Sequence, residues 1–186
     1  MSHDLSPKWR LFTEWFRPKD PSREREFLQC LKENLACPDI QEVHLLCEGD
    51  PPIIEHPKLT IIQPAQRPTY ASLIKTVSTQ LRGEHIVIAN NDISFQRFNN
   101  FSILPNQVAC CTRYEIRDDH PVWYKEANHK NPGISQDAWF FQSPITLGGG
   151  HFHMGTPGCD NRIAWLFHAS GNQVFNPGHN AMLLHR

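Results

Sequence analysis

The residues with the clearest chemical potential follow a buried apolar run: His85-Ile86-Val87-Ile88-Ala89 leads directly into Asn90, Asn91 and Asp92. A strand of that kind delivers polar side chains to one edge of a sheet. There a carboxylate can hold a hard divalent cation, Mn2+ or Mg2+, through oxygen. Asn and Asp also turn the chain on their own account, and on this motif alone the two readings stand level. His151 and His153 share a face if their segment is extended, the beginning of a metal site with no third ligand evident beside it. Six cysteines (Cys30, Cys37, Cys47, Cys110, Cys111 and Cys159) form no C-x-x-C pair and read as reduced and structural, as expected in the cytoplasm. A Cys/His hydrolase would need a thiol in an electropositive, accessible setting, and no cysteine here has a context that supplies one.

The whole chain bounds these readings. Its 186 residues suit a single domain over 1–186 that buries a core without staples, with 1–8 expected to be flexible. Lys+Arg 18 against Asp+Glu 19 argues against nucleic acid or a polybasic membrane anchor as the partner. No apolar run reaches the length of a transmembrane helix, and the first ten residues lack a signal peptide's apolar centre. A soluble, cytoplasmic protein is the expectation.

The elements that would position the Asn-Asn-Asp loop alternate in type. Residues 9–16 read as a first strand. Asp20-Pro21 opens a helix carrying Phe27, Leu28, Leu31 and Leu35 at helical spacing, and Pro38 stops it. Short apolar runs at 42–47 and 59–63 read as strands. Thr69 opens a second helix with Tyr70, Leu73, Ile74, Val77 and Leu81 on one face, ended at Gly83. Residues 85–89, 108–112 and 138–141 read as further strands, and 160–170 as a last helix. The polar stretch 114–133 is expected as a long loop or flap. This order implies an α/β fold, a three-layer α/β/α sandwich on a mainly parallel sheet. Ligands then sit beyond the carboxyl ends of the strands, selecting the loops near 13–17, 48–50, 63–70 and 90–94.

GEHIVIANNDISF resembles the strand and acidic loop of GT-A glycosyltransferases, the nucleotide-diphospho-sugar transferase fold, in which a D-x-D motif carries the metal that clamps the donor's diphosphate. HLLCEGD stands where that family often keeps an acidic nucleotide contact. RPTYASLI, SQDAWFF and GTPGCDNRIAW further resemble small bacterial members, and together these cover the chain from about residue 10 to 180.

The resemblance implies a transferase that moves a sugar from a nucleotide-sugar donor to a glycan or other hydroxyl acceptor with divalent metal help. Asp92 would face the metal, with Asn91 beside the diphosphate. Thr13 and Glu48 would border the nucleoside, and Arg67 and Tyr70 would contact phosphate or stack on the base. Asp160 would be the base that takes the acceptor's proton, with Asp137 its competitor. His185 would complete the metal shell, with His179 second to it. Plainer readings stand beside these: Asp160 as a helix N-cap, Asp137 bonded to its own loop, Glu48 in a solvated turn, Arg67 on the surface, Tyr70 in the core. One carboxylate replaces the two of a full D-x-D, which weakens divalent binding, and the chain is short for the fold. A degenerate nucleotide-sugar-binding domain without catalysis is the alternative function.

Overall fold

The computed structural model describes residues 7–97, 102–118, 120–124 and 136–186. Its centre is a seven-stranded sheet. The strands are β1 (Trp9–Trp15), β2 (Ile40–Cys47), β3 (Leu59–Ile62), β4 (His85–Ala89), β6 (Gln107–Cys111), β9 (Ala138–Gln142) and β10 (Gln173–Phe175). Their order across the sheet is β10-β6-β9-β4-β1-β2-β3. Pairing is parallel except for β9, which runs against both β4 and β6. A mainly parallel sheet is thus present, and β9 brings its amino end, not its carboxyl end, to the edge where β4 delivers Asn90.

Strand alternation divides the core in two, because successive side chains leave opposite faces. On one face Phe12, Ile86, Ile88, Trp139 and Phe141 pack against helices α2 (Tyr70–Gln80) and α3 (Cys159–Ala169). On the other, Trp9, Leu11, Trp15, Val87 and Phe140 pack against helix α1 (Pro21–Ala36). Burying each such side chain contributes roughly 1.5–3 kcal/mol, which is why the chain needs no disulfide.

That second face departs from the expected layer of helices. Strands β5 (Ile93–Arg97), β7 (Tyr114–Arg117), β8 (His120–Trp123) and β11 (Met182–His185) form a separate four-stranded sheet, ordered β5-β11-β7-β8. Ile93 and Phe95 of β5 and Leu183 of β11 enter the same core as α1. Residues 114–117 and 120–123 of the expected loop accordingly pair antiparallel, Tyr114 opposite Trp123, while 119 and 125–135 lie outside the described residues. The expected flexible 1–8 is likewise outside them up to residue 6.

Helix ends follow their local chemistry. Asp20 caps α1 by accepting from the Ser22 N–H, and Pro21 stands at the first turn. Thr69 and Ser72 form a reciprocal capping box on α2. α3 starts one residue earlier than expected and differently. Its N-cap is Gly158 at φ +79°, with no side-chain cap, so Asp160 lies inside the first turn and is not the cap. Its negative charge still suits that position, near the positive end of the helix dipole. Among the described residues, no helix is long and apolar enough to cross a membrane.

Candidate functional site

The carboxyl ends of β1, β2 and β4 open into a cleft of about 630 Å³. Asn90, Asn91 and Asp92 line it together with Glu14 and Arg67, and Phe16, Arg17, Arg23 and Phe27 complete the lining with them. A second hollow of about 500 Å³ adjoins it over residues 63–68, sharing Glu14, Glu48, Gly49, Asp50 and Arg67 with the first. Asn90 Oδ1 and Asn91 Nδ2 are buried with no hydrogen-bond partner among the described residues. Orphaned buried amide atoms at a cleft call for a ligand or water to satisfy them.

Asp92 sits at the centre of a chain of charges. Its Oδ2 accepts from Arg23 Nη2 at 2.9 Å and lies 3.4 Å from His185 Nε2. His185 Nδ1 is 3.3 Å from Glu115 Oε2, and Arg113 joins Glu115 at 2.7 Å to Asp137 at 2.9 Å. Burial would raise the Asp92 pKa, but His185 and Arg23 together hold it below the usual aspartate value. The same contact with Asp92 raises His185 above the ordinary imidazole value, against burial. Burial pushes the Asp137 carboxyl up to about 6, with Arg113 opposing and Asp160 adding to the rise. Asp160, half-buried, is also raised, chiefly by burial; it accepts from the Cys159 thiol at 3.2 Å and from the Asn90 side chain.

The structure therefore brings Asp92 and His185 together, with Asn90 and Asn91 beside Asp92 and with Asp137 and Asp160 near the same sheet edge. Asn90 N–H donates to the Asp137 carbonyl at 3.1 Å, which fixes that proximity. Arg67 and Glu48 line both hollows. Arg67 is held there, its Nε and Nη2 on Glu14 at 3.1 and 2.7 Å and its Nη2 also on the Met154 carbonyl at 2.7 Å.

Two expected residues stand elsewhere. Tyr70 is 1% exposed, edge-on to Trp139 and tilted against Phe152, so its ring packs the core and offers no face to a base. Thr13 is 5% exposed, and alternation sends Glu14 to the cleft in its place. His179 bonds Tyr114 Oη at 2.7 Å, away from Asp92, and His153 bonds the Pro68 carbonyl at 3.0 Å, while His151 is exposed.

Glu14, Arg23, Arg113 and Glu115 are site residues that sequence reading missed. Only Glu14 carried a usable signal, a charge near the end of an otherwise apolar strand. The six cysteines are all buried, and burial drives Cys159 up to about 11 and Cys110 up to about 12. Burial of every thiol, with the pKa raised by that burial, argues against a Cys/His hydrolase.

Among the described residues no group of three or more His, Cys, Asp or Glu could hold an ion. Asp92 and His185 offer two donors, oxygen and nitrogen, a set that Mn2+ or Mg2+ accepts when a diphosphate and water supply the remainder.

The fold is similar to that of a solved nucleotide-sugar-dependent enzyme. At 14% identity and a TM-score of 0.58, it matches the mannosyltransferase PcManGT from Pyrobaculum calidifontis, solved in complex with GDP-Man and Mn2+. The match covers 98% of this chain and 57% of that one, so this chain spans little more than half the mannosyltransferase's length. A candidate glucose-1-phosphate thymidylyltransferase from Bacillus anthracis, in complex with sucrose, aligns over 95% of this chain and 88% of its own at 10% identity and a TM-score of 0.48. No known protein family profile matches the chain, and no curated protein matches it in sequence.

Proposed function

We propose that the chain is a glycosyltransferase that moves a sugar from a nucleotide-diphosphate donor to a hydroxyl acceptor. The observation that carries this reading is the meeting of Asp92 and His185, at 3.4 Å, beside a cleft lined by the unpartnered Asn90 Oδ1 and Asn91 Nδ2. The donor's diphosphate lies over Asn91 and Asp92, with Glu48 toward the nucleoside. Asp92 and His185 would hold Mn2+ or Mg2+, which when bound supplies positive charge against the departing diphosphate.

The chain's own groups do the rest. Asn90 and Asn91 donate to and accept from the polar donor. Arg67, locked by Glu14, keeps one cationic wall of the cleft in place. Asp160 is the base in this reading. Burial raises its pKa, which makes it the stronger proton acceptor, and it is less buried than Asp137. In the transfer the acceptor oxygen forms a bond to the anomeric carbon as the bond to the diphosphate oxygen breaks. The bond's electron pair leaves on the nucleoside diphosphate, and the acceptor's proton passes to Asp160. Asp137, clamped by Arg113, is a positioning carboxylate behind Asn90.

A thermal-shift screen against nucleoside diphosphates and nucleotide sugars, with and without Mn2+, tests the reading. A ligand at a hundred times its Kd stabilises by about 2.7 kcal/mol. The expected result is a shift with one nucleotide that Mn2+ enlarges and Asp92→Ala abolishes. Binding without sugar transfer or donor hydrolysis would favour a degenerate binding domain, and no shift with any nucleotide would overturn the proposal.

A further inference from the structure

Arg23 has no place in the mechanism above, yet its guanidinium lines the cleft and contacts Asp92 directly. It sits in the first turn of α1, and its orientation is fixed on three sides. Nη1 is held by Glu26 Oε2, the guanidinium lies 5.0 Å over the Phe27 ring, and Nη2 donates to Asp92 Oδ2 at 2.9 Å. Arg23 and Phe27 both line the cleft, and the Arg23 side chain remains 38% exposed although it makes these contacts. A buried or half-buried carboxylate commonly has a cation against it. Here that cation is a planar fork whose geometry matches phosphate oxygens as well as it matches carboxylate.

We propose that Arg23 is a diphosphate-binding residue of the site and also a cation that competes with a divalent ion for Asp92. The proposal rests on the nucleotide-sugar reading for its first half; its second half concerns Asp92 and the metal alone. Asp92 Oδ2 already carries Arg23 Nη2 at 2.9 Å and has His185 Nε2 at 3.4 Å, so a divalent ion that took this oxygen would repel the guanidinium and loosen Nη2 from it. The freed fork, still leaning on Phe27 and Glu26, faces the space where the diphosphate lies over Asn91. No covalent step is involved, only an exchange of ion pairs. The exchange ties donor binding to metal binding: as an ion takes Asp92, the Arg23 fork is released toward the phosphate. It also leaves the site able to hold a diphosphate weakly with no metal, through Arg23 alone.

The test uses the full chain and the variants Arg23→Ala and Arg23→Lys. Mn2+ binding is followed by electron paramagnetic resonance of the free ion. Binding of UDP, GDP, ADP, CDP and dTDP is followed by calorimetry in EDTA and again with Mn2+. Arg23→Ala is expected to bind Mn2+ several-fold more tightly, because its competitor is gone. The same variant is expected to bind the nucleoside diphosphate about tenfold more weakly in EDTA, the scale of one charge-assisted contact. Arg23→Lys, with the charge but no fork, is expected to fall between. A residue of merely structural importance would move both affinities downward together, and that outcome overturns the proposal, as does Mn2+ binding unchanged in Arg23→Ala. If the native chain binds no nucleotide, the transferase reading falls, while the Mn2+ arm still decides whether Arg23 competes for Asp92.

Discussion

His185 shows how far a single contact can set a residue's behaviour. Its imidazole is caught between Asp92 and Glu115, and the bond to Asp92 raises its pKa above the ordinary value. A raised folded-state pKa contributes stability that is complete below the unfolded value, near 6.5, and is lost as pH rises through the folded value. Asp92 is the reverse case. Held low against burial by His185 and Arg23, it contributes above its unfolded value of about 3.8, and the contribution fades as pH falls. The His185 ring proton, followed by NMR titration, is therefore expected to show a midpoint above 6.5, and Asp92→Asn is expected to lower it. A midpoint unmoved by that substitution would show that Asp92 does not set it. Legibility at this scale was uneven for a physical reason. Asp92 could be read because it follows an apolar run directly, whereas Arg23, Arg113 and Glu115 owe their roles to partners far along the chain. Local spacing carries no trace of such pairings. Thr13 was one position from the residue that matters, and in a strand one position means the opposite face.

At the scale of elements, the loop that carries Asp92 is positioned by Asn34, a buried asparagine on the inner face of α1. Its Nδ2 donates to the Ile93 carbonyl and its Oδ1 accepts from the Phe95 N–H, both at 2.9 Å. The side chain thus behaves as a short piece of strand pairing with β5, and it ties the residue after Asp92 to the helix that carries Arg23. Asn34→Leu keeps the size and removes both partners, leaving a buried carbonyl and a buried N–H unsatisfied. The expected cost is about 3 kcal/mol, equivalent to a fall in Tm of roughly 10 °C for a domain of this size. A change within about 2 °C in a calorimetric scan would mean that β5 holds its place without Asn34. The helices and the longer parallel strands were visible in the sequence, because apolar spacing and capping residues agreed there. β5, β10 and β11 were not. They are short, and β5 and β11 pair with each other from distant parts of the chain, so no hairpin turn announced them. The second sheet is hidden with them, and the paired strands at 114–117 and 120–123 read as loop because they are polar and half-exposed.

For the whole molecule, the two cores on either side of the central sheet decide how the cysteines behave. Cys37, Cys47 and Cys111 belong to the core beneath α1, and Cys110 and Cys159 to the core beneath α2 and α3. Cys110 and Cys111 are adjacent on β6 and, by strand alternation, leave the sheet on opposite faces, so neither can reach the other or a common partner. Cys30, on the inner face of α1, is also fully buried, and burial pushes it up to about 12. Each thiol is therefore shielded, with burial raising its pKa, and its reactivity is expected to report on opening of the core that contains it. Ellman's reagent or iodoacetamide at pH 8 is expected to modify none of the six within minutes in the native chain and all six in guanidinium. Sugar transfer is expected to survive the same treatment. One thiol reacting rapidly with loss of transfer would identify a reactive cysteine and restore thiol chemistry as a reading of this protein. Slow modification that tracks temperature would instead measure which of the two cores opens first. Cys159 is the sensitive reporter, because it stands at the first turn of α3 behind the Gly158 cap, where no side chain closes the helix end.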